Sequence, residues 1–155
     1  MKYGGYAGKI LRVNLSSGSI DQQDVREYLP DWYGGRAMAA RIAWDEIPPG
    51  TGAFDPESPL IILTGPLTGT AAPFSGRTTV CGISPQGYPV EWYSRSSFGG
   101  HWGPELKHAG FDGIIIKGRA SSPVFLKIED RTCTIEDATE LSGMGIYLTQ
   151  KKIIF

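Results

Sequence analysis

The chain has 155 residues, 41% of them hydrophobic, with four Trp, seven Tyr and six Phe, which is enough for one domain with a real core. A formal net charge of −1 with scattered Lys and Arg argues against nucleic acid as a partner, and no apolar run approaches the roughly 18 residues that a membrane-spanning helix needs. The 21 Gly and 11 Pro are dispersed, which points to many tight turns in a strand-rich fold and away from disorder.

From the N-terminus, residues 9–15 (KILRVNL) alternate apolar and polar side chains and predict a half-buried strand. SSGS at 16–19 reads as a hairpin turn, with the return strand starting at Ile20. Residues 24–29 are short and polar and fit a single helical turn ending before Pro30. Gly34 and Gly35 then open a helix from Arg36 to about Glu46. Ala37, Ala40, Ala43 and Trp44 share one face of it, with Met38 and Ile42 beside them, and this face is expected to lie on a sheet. Pro48 and Pro49 end the helix, and GTGAFDPESP follows as an exposed loop.

Residues 60–63 (LIIL) lack alternation and predict a strand covered on both faces. TTVCGI at 78–83, residues 90–93, 113–117 and 123–128 with its partner 132–135 complete the predicted strands, the last two joined by a hairpin at DRT. Residues 140–155 read as the start of a helix, with Ile146, Leu148, Ile153, Ile154 and Phe155 at roughly helical spacing and no cap after them. Trp44, Trp92 and Trp102 are expected in the core.

Two glycine-rich stretches, GPLTGTAAPFSGR and SSFGGHWGPELKHAG, follow strand-like segments. Glycine admits positive φ and close approach of a ligand to the main chain, and successive free N–H groups in such turns form anion-binding concavities. The second stretch runs into a short helix, with Gly103 suited to the N-cap, Pro104 to the first helical position and Gly110 to C′. Together these features predict a site for a phosphorylated ligand.

Arg77 closes the first turn, where its planar fork suits phosphate, although a surface salt bridge serves it equally well by sequence alone. Ser97, Phe98, Gly99 and Gly100 are the matching group in the second turn. Arg36 reads either as a solvated first-turn arginine or as a cofactor or interdomain contact. His101 and His108 have no carboxylate or thiolate set near them in sequence, so they are expected to be structural rather than metal ligands. Cys81 and Cys133 lie outside any CxxC pattern and read as reduced, partly buried thiols of a cytoplasmic protein, too few to hold an iron–sulfur cluster. The opening MKYGGYAGKI has no signal-peptide core.

Taken in order, GYAGKILRVNLSSGSI, YGGRAMAARI, FDPESPLIILTGPLTGT, APFSGR and SFGGHWGPELKHAGFDGIIIKG resemble the N-terminal domain of the tungsten- or molybdenum-pterin aldehyde ferredoxin oxidoreductase family. The likeness covers nearly the whole chain. It implies an α+β fold of mixed or antiparallel sheet with a few short helices and the cofactor lying on a sheet face. It also implies that residues 1–155 are that N-terminal domain, incomplete at the C-terminal end and without the helical domains.

Members of the family oxidise aldehydes to carboxylic acids with a metal held by two pterin dithiolenes, and pass electrons through a [4Fe–4S] cluster to ferredoxin. One branch instead reduces aromatic CoA thioesters. By resemblance, Arg77 lies between pterin and cluster, and Ser97, Phe98, Gly99 and Gly100 hold the pterin phosphate region, partly through main-chain atoms and a bridging magnesium ion. Many relatives have Asn where Ser97 stands, so a magnesium contact through the Ser97 carbonyl survives that change and a side-chain amide contact does not. The cluster cysteines and the substrate pocket belong to the later domains. The chain is therefore expected to carry no catalytic residue, to be apo by itself, and to self-associate through the face those domains would cover. The alternative is a non-catalytic binding or assembly module that keeps the scaffold.

Overall fold

A computed structural model describes residues 4–154; Phe155, counted above on the apolar spacing of the last helix, lies outside them. Lys9–Asn14 (β1) and Ser19–Asp24 (β2) form the first hairpin. Its turn is held by Asn14, whose Oδ1 accepts from the amides of Ser16 and Ser17 at 3.0 and 3.2 Å. A short 3-10 turn at Val25–Glu27, capped by the Asp24 side chain, leads to the helix Gly34–Glu46 (α1). Next come Leu60–Thr64 (β3), Thr78–Ser84 (β4), Trp92–Phe98 (β5), the helix Trp102–His108 (α2) and Gly113–Lys117 (β6). Val124–Glu129 (β7), Thr132–Asp137 (β8) and the helix Ile146–Ile154 (α3) complete the described chain.

Six strands make one sheet in the order β2-β1-β6-β3-β4-β5. Neighbours are antiparallel except β1 and β6, which run parallel. Among the described residues β7 and β8 pair only with each other, through a turn in which Asp130 and Arg131 take φ of 42° and 71°. This is the α+β architecture of mixed sheet and short helices that the sequence implies. No helix among the described residues is long and apolar enough to cross a membrane.

The period of two along each strand sorts side chains onto two faces. Ile10, Ile61, Leu63, Cys81 and Ile115 point to α1 and pack on Met38, Ala39, Ile42 and Ala43. Leu11, Val13 and Ile114 point the other way, onto Leu106, Phe111 and the apolar side of the β7–β8 hairpin. The helix α1 is therefore rotated from the expected alanine face. Ala37 and Ala40 are exposed and Trp44 is 84% exposed. Met38 and Ile42 carry more apolar area than the alanines beside them, and burying that area decides which face turns inward.

The other two predicted core tryptophans are also outside: Trp92, on the edge strand, is 58% exposed and Trp102, in the first turn of α2, 39%. The strand expected at 90–93 begins at Trp92 and runs on to Phe98. The helix α2 starts earlier than expected, with His101 at the N-cap and Gly103 inside the first turn. Gly103 is needed there for closeness: a Cβ at that position would sit 2.4 Å from Thr78 Oγ1, so the helix lies directly on β4. Gly110, at φ 97°, ends the helix as expected.

Two ion-pair groups tie the layers together. On the α1 face, Arg12 bonds both Glu46 oxygens, at 2.5 and 2.9 Å, and Lys117 Nζ lies 3.1 Å from the same carboxylate. Burial would raise the Glu46 pKa, but its bonds to Arg12 and Lys117 hold it below the usual carboxylate range. On the other face, Lys107 pairs with Asp112 at 2.9 Å, their side chains 8% and 2% exposed. Lys107 Nζ also donates to the carbonyls of Gly5 and Gly65, and lies 5.3 Å from the centre of the Tyr6 ring. Asp112 accepts from the amides of Ala7 and Gly8 at 2.9 and 2.7 Å. Removing one member of a buried pair leaves its partner charged in a dry site. Asp112→Ala is therefore expected to lower unfolding free energy by about 3–5 kcal/mol in a urea titration.

Candidate functional site

The two glycine-rich turns meet at one end of the β4–β5 pair. Residues 65–77 are held by their own hydroxyls: Thr68 Oγ1 accepts from the Gly65 amide at 3.2 Å and donates to the Ser75 carbonyl at 2.9 Å. Ser75 Oγ lies 2.8 Å from the carbonyl oxygens of both Leu67 and Ala72, which share its one proton. This stitching delivers Arg77 to the start of β4 in a fixed position. The ladder pairs Thr78 with Phe98 and Thr79 with Ser97, so Gly99 and Gly100 leave β5 beside Arg77. The Arg77 guanidinium donates to Ser97 Oγ at 3.0 Å, and a Cβ on Gly76 would lie 4.0 Å from the Gly100 carbonyl oxygen. A Cβ on either Gly99 or Gly100 would meet nothing within 4 Å, so the backbone there is open to a ligand.

Arg77, Ser97, Gly99 and Gly100 are thus together, and Phe98 is not with them. Ser97 and Phe98 are the last residues of β5 rather than part of the turn, and alternation sends their side chains to opposite faces. Phe98 packs edge-to-face on Trp102, 5.5 Å between ring centres, on the α2 side.

The α1 side of the same strands carries two residues that were not singled out in the sequence, Tyr93 and Arg95. Tyr93, Arg95 and Ser97 share this face, opposite Ile83, Cys81 and Thr79. Gly35, at the start of α1, approaches Thr79 so closely that a Cβ there would be 3.3 Å from its Oγ1, which brings Arg36 to the edge of the same surface. Burial pushes the Cys81 thiol above its ordinary pKa, opposed by contact with Tyr93 and by the charges of Arg95 and Arg36. The Tyr93 phenol is also raised by burial and by its contact with Cys81. Its hydroxyl lies against that thiol, without a well-formed hydrogen bond to any group among the described residues. Extending the 90–93 strand through SRSSF would have placed Arg95 by period two alone.

His101 caps α2 and His108 ends it, both exposed. Among the described residues no group of three or more His, Cys, Asp or Glu lies together as a metal site. Cys81 and Cys133 belong to clusters on opposite faces of the sheet. The donor set at the turns, a guanidinium, a hydroxyl and open glycine backbone, suits phosphate oxygens and offers no soft metal ligand.

Residues 10–154 match the family model for the N-terminal domain of aldehyde ferredoxin oxidoreductase. The chain is 42% identical over 150 residues to the tungsten-containing aldehyde ferredoxin oxidoreductase of Pyrococcus abyssi (strain GE5 / Orsay), covering 96% of this chain and 24% of that protein. It is 41% identical over 145 residues to the aliphatic sulfonate oxidoreductase, WOR-like subunit, of Pyrococcus furiosus (strain ATCC 43587 / DSM 3638 / JCM 8422 / Vc1), covering 90% and 22% of the two. Among solved structures it is similar to the active-site complex BamBC of benzoyl coenzyme A reductase bound to 1,5-dienoyl-CoA. That likeness has a TM-score of 0.90 and 38% identity, over 97% of this chain and 23% of that one. The chain spans about a quarter of the length of the curated relatives it matches.

Thiol and phenol ionisation supply a test of the buried side of this face. A folded pKa raised above the unfolded one leaves stability intact below the unfolded pKa and removes it as pH climbs towards the folded one. Stability is expected to fall above the ordinary thiol pKa of 9.0 for Cys81, and further above 10.0 for Tyr93. Tyr93→Phe should flatten the upper part of that decline in urea titrations at successive pH values.

Proposed function

Because this chain belongs to the aldehyde ferredoxin oxidoreductase family, whose N-terminal domain it matches, we propose that it is the cofactor-holding base of a tungsten- or molybdenum-pterin oxidoreductase. The observation that carries this reading is the meeting of the two turns at Arg77 and Ser97. Arg77 holds a pterin phosphate oxygen through its planar fork, kept in place by Ser97. Gly99 and Gly100 let the ligand lie against the main chain, and the Ser97 carbonyl offers an oxygen to magnesium. Phe98 acts at one remove, pinning the end of β5 on Trp102.

When bound, the metal–pterin group supplies the redox centre that takes an aldehyde to a carboxylic acid. A [4Fe–4S] cluster, which would carry electrons to ferredoxin, would take its cysteines from outside this chain, since Cys81 and Cys133 are on opposite faces of the sheet. The substrate pocket and helical domains belong to the rest of the protein, and this chain contributes no catalytic residue. Taken alone it is apo and associates through exposed apolar residues such as Trp44, Ile146 and Tyr147. We place it in the cytoplasm, where both thiols stay reduced. The 0.90 TM-score with the benzoyl coenzyme A reductase complex favours a second reading, reduction of an aromatic CoA thioester on the same base. A binding or assembly module without chemistry would keep the fold and need neither substrate.

In the whole protein that carries this chain, Arg77→Ala is expected to lower bound tungsten and pterin per chain about tenfold, read by metal analysis and pterin fluorescence. Arg77→Lys should recover part of the loss, because an ammonium lacks the fork. Gly99→Val should lose cofactor with an unchanged melting temperature, since its Cβ meets nothing within 4 Å. Full cofactor loading in Arg77→Ala would sink the reading. Assays with an aldehyde and oxidised ferredoxin, against an aromatic CoA ester and reduced ferredoxin, separate the two activities.

A further inference from the structure

We propose that the helix α3 docks in the groove between α1 and the β4–β5 pair of a second copy of the chain, so that two copies exchange α3 in a closed dimer. The proposal rests on the self-association stated above and says which surface meets which.

The helix α3 stands almost free of the body. Every described side chain on it is exposed except the half-buried Thr149, and Ile146 is 90% exposed. Neither apolar cluster of the core includes a described residue of α3. At about 100° per residue, Ile146, Tyr147 and Ile153 fall within about 120° of one another around the axis, and Lys151 borders them beside Tyr147. A helix of nine residues is marginal in water unless this apolar face is packed.

The groove is the matching surface. Ala43 and Trp44 line it from α1, Ile83, Val90 and Tyr93 from the strand pair, and Pro48 from the loop after the helix. Among the described residues its one charged lining residue is Glu91. The Glu91 carboxylate lies with that of Asp55 beside Gly52: Asp55 accepts from the Gly52 amide at 2.7 Å, and Glu91 from the Ala53 amide at 2.6 Å. Neither acid has an ion-pair partner among the described residues. The helix α3 carries Lys151 and Lys152 and no acid. Lys152 is paired with Glu140 at 2.6 Å, whereas Lys151 has no ion pair among the described residues. An apolar face bordered by a lysine thus meets an apolar groove bordered by two carboxylates.

The two surfaces cannot meet within one chain. The β7–β8 hairpin that precedes α3 packs under β1 and β6, on the side of the sheet away from α1. The groove lies at the β5 edge on the α1 side. Residues 142–145 span at most about 14 Å, too little to carry α3 round a six-stranded sheet about 24 Å wide. A second copy brings one helix and one groove in equal number, and exchange in both directions closes the pair where one-way docking would build an open chain.

The test is sedimentation velocity on the 155-residue chain and two variants, all at the same high concentration and with Arg77 and its turn unaltered. The unmodified chain should sediment as a dimer. Trp44→Glu spoils the groove and Ile146→Asp spoils the helix. Each should sediment as a monomer with an unchanged melting temperature, because both side chains are exposed. An equimolar mixture of the two variants should recover a dimer, since one intact groove then meets one intact α3. Lys151→Glu should weaken dimerisation about fivefold at low ionic strength. Should either variant melt lower, Val90→Glu and Tyr147→Asp, also at exposed positions, take their places. A dimer that survives either substitution, or a mixture that stays monomeric, overturns the proposal. A monomeric unmodified chain overturns it together with the self-association reading. The cofactor reading stands or falls separately, on Arg77→Ala.

Discussion

The buried pair of Lys107 and Asp112 is the constraint on which the arrangement of both turns depends. Lys107 comes from α2 and reaches the carbonyls of Gly5 and Gly65, so it fixes the N-terminal segment and the first residue of the Arg77 loop against the helix. Asp112 stands at the entrance to β6. Its side chain takes the amides of Ala7 and Gly8, its amide donates to Lys9, and its carbonyl accepts from both the Thr64 amide and the Thr64 hydroxyl. Every polar atom the pair brings inside is thereby met, and that alone makes burial of two charges tolerable. The helix α2 then lies on β4 with Gly103 against Thr78. The loop leading to Arg77 and the turn leading from β5 into α2 are set by the same contact.

The chain has a net charge near zero, yet one face is locally positive. The reason is where the acids are spent. Glu46 holds Arg12 and Lys117, Asp112 holds Lys107, Asp45 holds Arg41 and Asp24 holds Arg26. Among the described residues Arg36, Arg77 and Arg95 find no such partner, and the neighbouring strand offers hydroxyls in place of carboxylates. A net charge averages over this division, so composition excludes a broad basic surface and says nothing against a small one.

Strands with a strong apolar pattern were legible in the sequence: β1, β3, β4 and β6 stand where Ile, Leu, Val and Thr recur, and Asp130 and Arg131 turn where the hairpin was expected. β5 was half seen. Its Ser-Arg-Ser-Ser run has no apolar period, because an exposed edge strand need not bury a face, and Arg95 went unnoticed with it. The choice of face on α1 was missed for a related reason. Two stripes compete on that helix, and which one wins depends on the partner surface, which periodicity does not carry. The glycine-rich turns and Arg77 were visible from backbone chemistry, but that they meet is a matter of strand register between β4 and β5. The assignment of those residues to a pterin rests on family likeness and not on their pattern.

The sheet order has a bearing on how the molecule comes into being. β2 with β1, and β3 with β4 and β5, are made of neighbours in sequence and form from local contacts. Between them lies β6, which pairs in parallel with β1 across a separation of about a hundred residues and antiparallel with β3. Until residues 113–117 are available, the two halves have no common strand and Leu11, Val13 and Ile61 keep an open edge beside them. In the finished sheet, the two parts built from the N-terminal two-thirds of the chain are joined by a single five-residue strand. Loop-closure entropy is met only when that strand inserts, so its entry should govern the folding rate. Asp112, bonded in the folded chain to the backbone at residues 7–9 on one side and to Thr64 on the other, stands where this strand joins the two halves.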